Sequence, residues 1–211
     1  IVSLFGMTGG SSGFIVGVCI AILVGITIIG GIKRIATVTE KLVPLMAIIY
    51  IIACLVVIFT NISDLGAAFN QIFTQAFNPQ AGLGGILGVL VIGFRRAAFS
   101  NEAGAGSASI AHSAVRTRYS ASEGLVALLE PFIDTVVICT LTAVVIVIFN
   151  ADGVFQYGAQ KVMINGQQYE GATLTSLAFA EHISFFPIIL TIAIFLFAVS
   201  TMISWSYYGL Q

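Results

Sequence analysis

Gly93-Phe94-Arg95-Arg96-Ala97-Ala98-Phe99-Ser100-Asn101-Glu102-Ala103-Gly104-Ala105-Gly106-Ser107 interrupts an apolar run from Gly82 to Ala114 with two arginines, a glutamate, an asparagine and several glycines. Charges at mid-bilayer are costly unless they face a protein interior or a watery cavity and find partners there. Gly104 and Gly106, with Ser100 and Asn101 just before them, weaken a helix, and irregular backbone at that depth is tolerated only where it lines a cavity. The run therefore predicts a membrane helix broken near its middle. Amides freed at such a break favour an anionic carboxylate, while unwound carbonyls and helix C-termini suit a cation or an ammonium group. A plainer reading pairs Arg95 or Arg96 with Glu102 and uses the glycines for close helix packing.

The flanking sequence has the composition of a membrane protein. The chain has 211 residues, 58% hydrophobic and only 8% charged, with a mean hydropathy of +1.07; a soluble domain needs more charge to wet its surface. Eight Lys and Arg nearly cancel nine Asp and Glu, so no charge excess points to nucleic acid. Cys19, Cys54 and Cys139 sit in apolar runs without CxxC spacing, which argues against a disulfide framework or a zinc site. A helix needs roughly 20 apolar residues to cross a hydrocarbon core of about 30 Å, and about five segments qualify. They run from about Phe14 to Ile32, Val43 to Thr60, Gly82 to Ala114 (broken), Gly124 to Phe149 and Phe185 to Tyr207. Together they form one transmembrane domain of an all-α polytopic protein. The chain begins without Met and stops beside an apolar stretch, as a piece of a longer protein would. Lys33, Arg34 and Lys41 between the first two spans, and Arg116 and Arg118 between the third and fourth, put those loops in the cytoplasm. Asn61 to Gln80 and Asn150 to His182 then face outward. The latter, 150–182, reads as a turn-rich loop with a short hairpin around Lys161 to Tyr169, signalled by Asn165-Gly166.

The run from Gly93 to Ser107, with its FSNEAGxGS core, resembles the signature of the alanine or glycine:cation symporter family, also called sodium:alanine symporters. Further pieces resemble that family in the same order: Val43 to Tyr50, Phe132 to Thr140, Ser200-Thr201, and Ser204-Trp205-Ser206-Tyr207-Tyr208. The resemblance implies a LeuT-type inverted-repeat fold of which this chain holds helices four to eight. The third span is then the discontinuous helix of the second repeat. The first discontinuous helix, which completes the amino-acid and sodium sites in such transporters, is expected outside this chain, so the chain alone is not expected to transport. It also implies that Ser200 and Thr201 supply hydroxyl ligands to a sodium ion, hard oxygen donors of the kind a small alkali cation needs. Trp205, four residues after Thr201, shares its face and is placed to close over a small substrate. The substrate-binding candidates are Phe99, Ser100, Asn101, Gly104, Gly106, Thr201 and Trp205. The plainer alternatives are a hydroxyl bonded to its own i−4 carbonyl and an interfacial Trp anchor.

Glu130 and Asp134 are spaced i, i+4 on the fourth span, and Asp134 lies about 15 Å in from Gly124 at the helical rise. Two like charges there suggest a proton or sodium role. The preferred assignment is duller: Asp134 pairs with Arg95 or Arg96, and Glu130 sits near the cytoplasmic interface with Arg116 or Arg118. The candidate structural charges are thus Arg95, Arg96, Glu102 and Asp134. His112 reads as a hydrogen-bonded interfacial residue. A channel would need rings or repeated filter carbonyls, and none is evident. A hydrolase would need an oriented nucleophile and base, and Ser107 with His112 lacks a third group. The expectation is cation-coupled symport of a small neutral amino acid, alanine or glycine, with sodium, or a proton in its place, as coupling ion and no cofactor. The partners expected besides these are the lipid bilayer of a bacterial inner membrane and no nucleic acid; an ion channel or a non-transporting scaffold subunit is the competing class.

Overall fold

The computed structural model describes residues 10–77, 91, 93, 94, 102–155, 162–164, 166–169 and 171–209. The fold is all-α, and among the described residues one small hairpin is the exception. The chain divides into two units, Ile1–Ile52 with Ser184–Gln211, and Ala53–Ile183.

In the first unit, α1 (Gly10–Ile29) carries no charged residue. It ends at Gly30-Gly31, where Gly31 adopts the left-handed φ of 68° that glycine accepts without penalty. α2 (Gly31–Thr60) follows at once, so the basic stretch expected as a loop, Ile32 to Lys41, is helical instead. The reason is local: after Gly31 the stretch holds Ile, Lys, Arg, Ala and Glu with no Gly or Pro, all of them compatible with a helix. The charged turns extend the helix beyond its apolar part, Leu42 to Thr60.

α8 (Phe186–Tyr208) packs along α1. Phe195, Val199, Ile203 and Tyr207 recur every fourth residue on one side of α8. With Ile20 and Val24 of α1 and Ile35 of α2 they form a single cluster, in which Ile203 is 1% exposed.

In the second unit, α3 (Ile62–Ala76) follows α2 after a turn at Asn61. Two short helices, α4 (Glu102–Ala105) and α5 (Ala108–Ser113), lead to the long α6 (Ser120–Phe149). α6 is not uniform: it has a turn at Leu128, a short piece Leu129–Pro131, and a wide-turned π stretch Phe132–Cys139 before regular helix resumes at Thr140. Pro131 lacks the N–H that would bond the Ala127 carbonyl, which explains why the regular ladder fails here. α3 and α7 (Ala172–His182) both pack against the last turns of α6, where Val144, Val145 and Ile148 are buried with Ala68, Ala178 and Phe179.

The described residues of the segment 150–182 include a small hairpin. β1 (Val162–Ile164) and β2 (Gln167–Tyr169) pair antiparallel with Val162 opposite Tyr169 and Ile164 opposite Gln167. Val162 and Ile164 turn inward onto Phe155, Phe149, Leu174 and Leu177, while Met163 points out, the period-two alternation of a strand. Buried Asn150 anchors this layer by accepting the Phe155 N–H on Oδ1 at 2.8 Å.

Among the described residues, three helices are long and apolar enough to cross a bilayer: Gly31–Thr60, Ser120–Phe149 and Phe186–Tyr208. α1 is apolar over the shorter Gly13–Ile29. Phe14, Ile22, Leu125, Phe132, Ile188 and Phe197 are exposed on these helices, as side chains facing hydrocarbon would be. The expected third span, Gly82 to Ala114, falls largely outside the described residues. Asn150→Ala should destabilise the intact protein in detergent by about 1–3 kcal/mol, because the buried Phe155 amide loses its acceptor; Asn150→Asp, which keeps an oxygen there, should lose less in a thermal melt.

Candidate functional site

The described end of the polar run shows a break. α4 is closed by Gly106, whose N–H donates to the Glu102 carbonyl at 2.8 Å while its φ is 79°. This is the left-handed helix ending that glycine makes without penalty. Ser107 then starts α5, with the Ile110 N–H donating to its carbonyl at 2.9 Å. A Cβ at Gly106 would meet nothing within 4 Å, so glycine is needed there for its conformation rather than for a close approach. Gly104 lies inside α4, and the break therefore sits two residues beyond it.

Three side chains surround this break. Glu130 of α6 accepts the backbone N–H of Glu102 on Oε1 at 3.0 Å. Ser107 is buried and its hydroxyl donates to Glu102 Oε2. Ser107 occupies the N-cap position of α5 but makes no side-chain cap there; its hydroxyl is used across the break instead. Glu130 thus turns to the Glu102 amide, and not to Arg116 or Arg118 as its position near the interface suggested. The physical reason is that a carboxylate accepting a backbone N–H forms a charge-assisted bond, stronger than an exposed ion pair. Asp134, one turn further along α6, is half-buried. Its expected partners Arg95 and Arg96 lie outside the described residues, as do Phe99, Ser100 and Asn101.

Beyond the break, His112 at the end of α5 meets Glu123 in the first turn of α6, with Nδ1 and Oε1 2.6 Å apart. The connecting turn is knit by hydroxyls. Thr117 Oγ1 and Ser122 Oγ lie 3.0 Å apart, and Ser122 donates to the Tyr119 carbonyl at 2.7 Å. The sequence carried a signal for Glu123, since Ser120-x-x-Glu123 has capping-box spacing, but the carboxylate serves the neighbouring helix.

On α8 the two expected sodium ligands diverge. Ser200 is buried beside Val199, whereas Thr201 is exposed and its hydroxyl donates to the Phe197 carbonyl at 2.9 Å. Adjacent residues of a helix are about 100° apart, so the two hydroxyls leave α8 in different directions. The i−4 bond uses the hydroxyl proton of Thr201 and leaves its oxygen lone pairs available to accept. Thr27, Thr60, Thr142 and Thr191 make the same bond at 2.7–3.0 Å, so at Thr201 it is the ordinary resting state of a hydroxyl on an apolar helix. Trp205, one turn on, is exposed and sits edge-on to Tyr208, with ring centroids 5.8 Å apart and planes at 69°. Among the described residues no group of three His, Cys, Asp or Glu has the arrangement of a metal centre.

Known proteins resemble this chain along most of its length. A sodium/alanine symporter of Methanococcus maripaludis is 39% identical over 196 residues, covering 92% of this chain and 41% of that protein. A probable sodium/glutamine symporter of Bacillus subtilis is 34% identical, covering 95% of this chain and 40% of that protein. A sodium/proton-dependent alanine carrier protein of Bacillus sp. PS3 is 30% identical, covering 92% and 44% respectively. The chain therefore spans about two fifths of the length of the curated relatives it matches. The family description "sodium:alanine symporter family" matches residues 1–211, and the chain belongs to that family.

Proposed function

We propose that this chain is part of a cation-coupled symporter for small neutral amino acids, alanine or glycine, working by alternating access in a bacterial inner membrane and catalysing no covalent chemistry. The observation that carries the reading is the helix break at Gly106 within a polar intramembrane run, in a chain that matches a symporter family throughout. The printed names of the relatives support sodium as the coupling ion, with the proton as the alternative. In this reading the architecture is LeuT-type, and the loops bearing Lys33, Arg34, Arg116 and Arg118 face the cytoplasm. Freed carbonyls and amides around Gly104 and Gly106, with Phe99, Ser100 and Asn101 before them, meet the zwitterionic substrate. Trp205 and Phe99 limit its size. Thr201, and Ser200 beside it, offer oxygen to the sodium ion, and Arg95, Arg96, Glu102 and Asp134 balance one another's charge.

The test is counterflow in proteoliposomes holding the intact protein. Labelled alanine or glycine should accumulate in sodium and not when potassium replaces it. Uptake that follows an imposed pH gradient without sodium would assign the proton instead, and ionic current without substrate would assign a channel.

At the break, Gly106→Ala should cost about 1–2 kcal/mol, the penalty of a side chain in the left-handed region, and should slow uptake. Gly106→Asn should retain more activity, since asparagine visits that region most readily after glycine. Equal uptake by wild type and Gly106→Ala would remove the break from the transport site.

At α8, Thr201→Val keeps the side-chain shape and removes the oxygen. The half-saturating sodium concentration should rise on the order of tenfold, the factor produced by about 1.4 kcal/mol of lost binding. Amino-acid affinity should weaken with it, because coupling between two bound ligands is reciprocal. Unchanged sodium activation in both Thr201→Val and Ser200→Ala would take these residues out of the ion site.

A further inference from the structure

The bond from Glu130 to Glu102 spans 28 residues of sequence and joins two irregular pieces of backbone. On one side is the break at Gly106, where Ser107 is tied to the Glu102 carboxylate. On the other is the least regular part of α6: Glu130 lies in the short piece Leu129–Pro131, between the turn at Leu128 and the π stretch Phe132–Cys139. The Glu130 carboxylate accepts the backbone N–H of Glu102 in α4. A continuous chain of contacts results, from the α6 backbone through the Glu130 carboxylate to the Glu102 amide, and from the Glu102 carboxylate to buried Ser107 at the start of α5. Wide-turned helix segments occur often at functional positions, because their register is less tightly held than that of a regular helix. A change of register in α6 would move the Glu130 carboxylate, and with it both ends of the break.

We propose that Glu130 is a positioning residue for substrate binding: it holds the broken helix at Glu102 and Ser107 in register with α6, and touches neither substrate nor ion. The proposal rests on the symporter reading given above. It requires an acceptor oxygen at position 130, not a titrating or ion-binding charge.

The experiment compares Glu130→Gln and Glu130→Leu with the wild-type intact protein by uptake of labelled alanine and by hydrogen exchange of the peptide containing Glu102 to Ser107. Glu130→Leu should raise the KM for the amino acid about tenfold with a smaller change in maximal rate, and should speed exchange in that peptide. Glu130→Gln keeps an amide oxygen within reach, so KM should rise by no more than about threefold, the cost of exchanging a charged acceptor for a neutral one. Should the leucine variant fail to fold, Glu130→Asp, one methylene shorter, should show an intermediate rise in KM. Lost yield and thermal stability with unchanged KM and unchanged exchange would overturn the proposal in favour of a purely structural role. Glu130→Gln as damaging as Glu130→Leu, with sodium or pH dependence altered, would overturn it in favour of an ion-coupling carboxylate. If the wild-type protein takes up no neutral amino acid, the symporter reading fails, and the exchange comparison still decides whether Glu130 holds the break.

Discussion

Backbone amides and carbonyls that leave a helix inside a bilayer must be answered by the protein, because hydrocarbon offers them nothing. The Glu102 amide makes this requirement concrete. Here the Glu102 N–H is met by a carboxylate from α6. The Ser107 hydroxyl, placed to cap α5, is drawn instead to the Glu102 carboxylate. Between them the left-handed turn at Gly106 ends one helical piece and admits the next.

The same requirement operates at lower stakes along the uninterrupted helices. Threonine hydroxyls on α1, α2, α6 and α8 return their protons to i−4 carbonyls. This satisfies each hydroxyl proton within its own helix. It also leaves the oxygen lone pairs turned away from the helix backbone, so a hydroxyl such as that of Thr201 can serve both a helix and a cation. Ser200, turned to the buried side of α8, and Thr201, turned outward, make different demands on a common ion, and sodium titration of the two single variants separates them.

Around the two ends of α6 the contacts are those of soluble proteins. The segment after α6 builds its own layer from Asn150, a small hairpin and α7 over an apolar cluster around Phe155. At the opposite end of α6, a His112–Glu123 contact and a hydroxyl-knit turn join α5 to α6. The ends of α6 are therefore tied down by polar contacts and packing, while its middle, around Pro131 and the π stretch, is where the helix departs from regularity. That is the part of α6 from which Glu130 reaches the break.

How much of this was legible in the sequence depends on the range of the interaction. Hydrophobic length and the absence of charge specify where membrane helices run, because transfer into hydrocarbon is a property of each residue summed over about 20 positions. Gly106 in a polar run announced a break, and Asn165-Gly166 announced the hairpin, because conformational preference at a turn is local. The basic stretch after Gly31 misled for a related reason: its charges mark the membrane boundary, but nothing in Lys, Arg or Glu ends a helix, so α2 simply continues. The partner of Glu130 could not be read in this way. From spacing alone it lay near two arginines of the adjacent loop; only the tertiary structure brought it to an amide 28 residues away, where a charge-assisted bond to a part-buried N–H is stronger than an exposed ion pair. Sequence by itself determined the membrane class, the family and the place of the break; folding decided which side chain answers the backbone there, since that choice depends on which groups are left unpaired after the helices have packed.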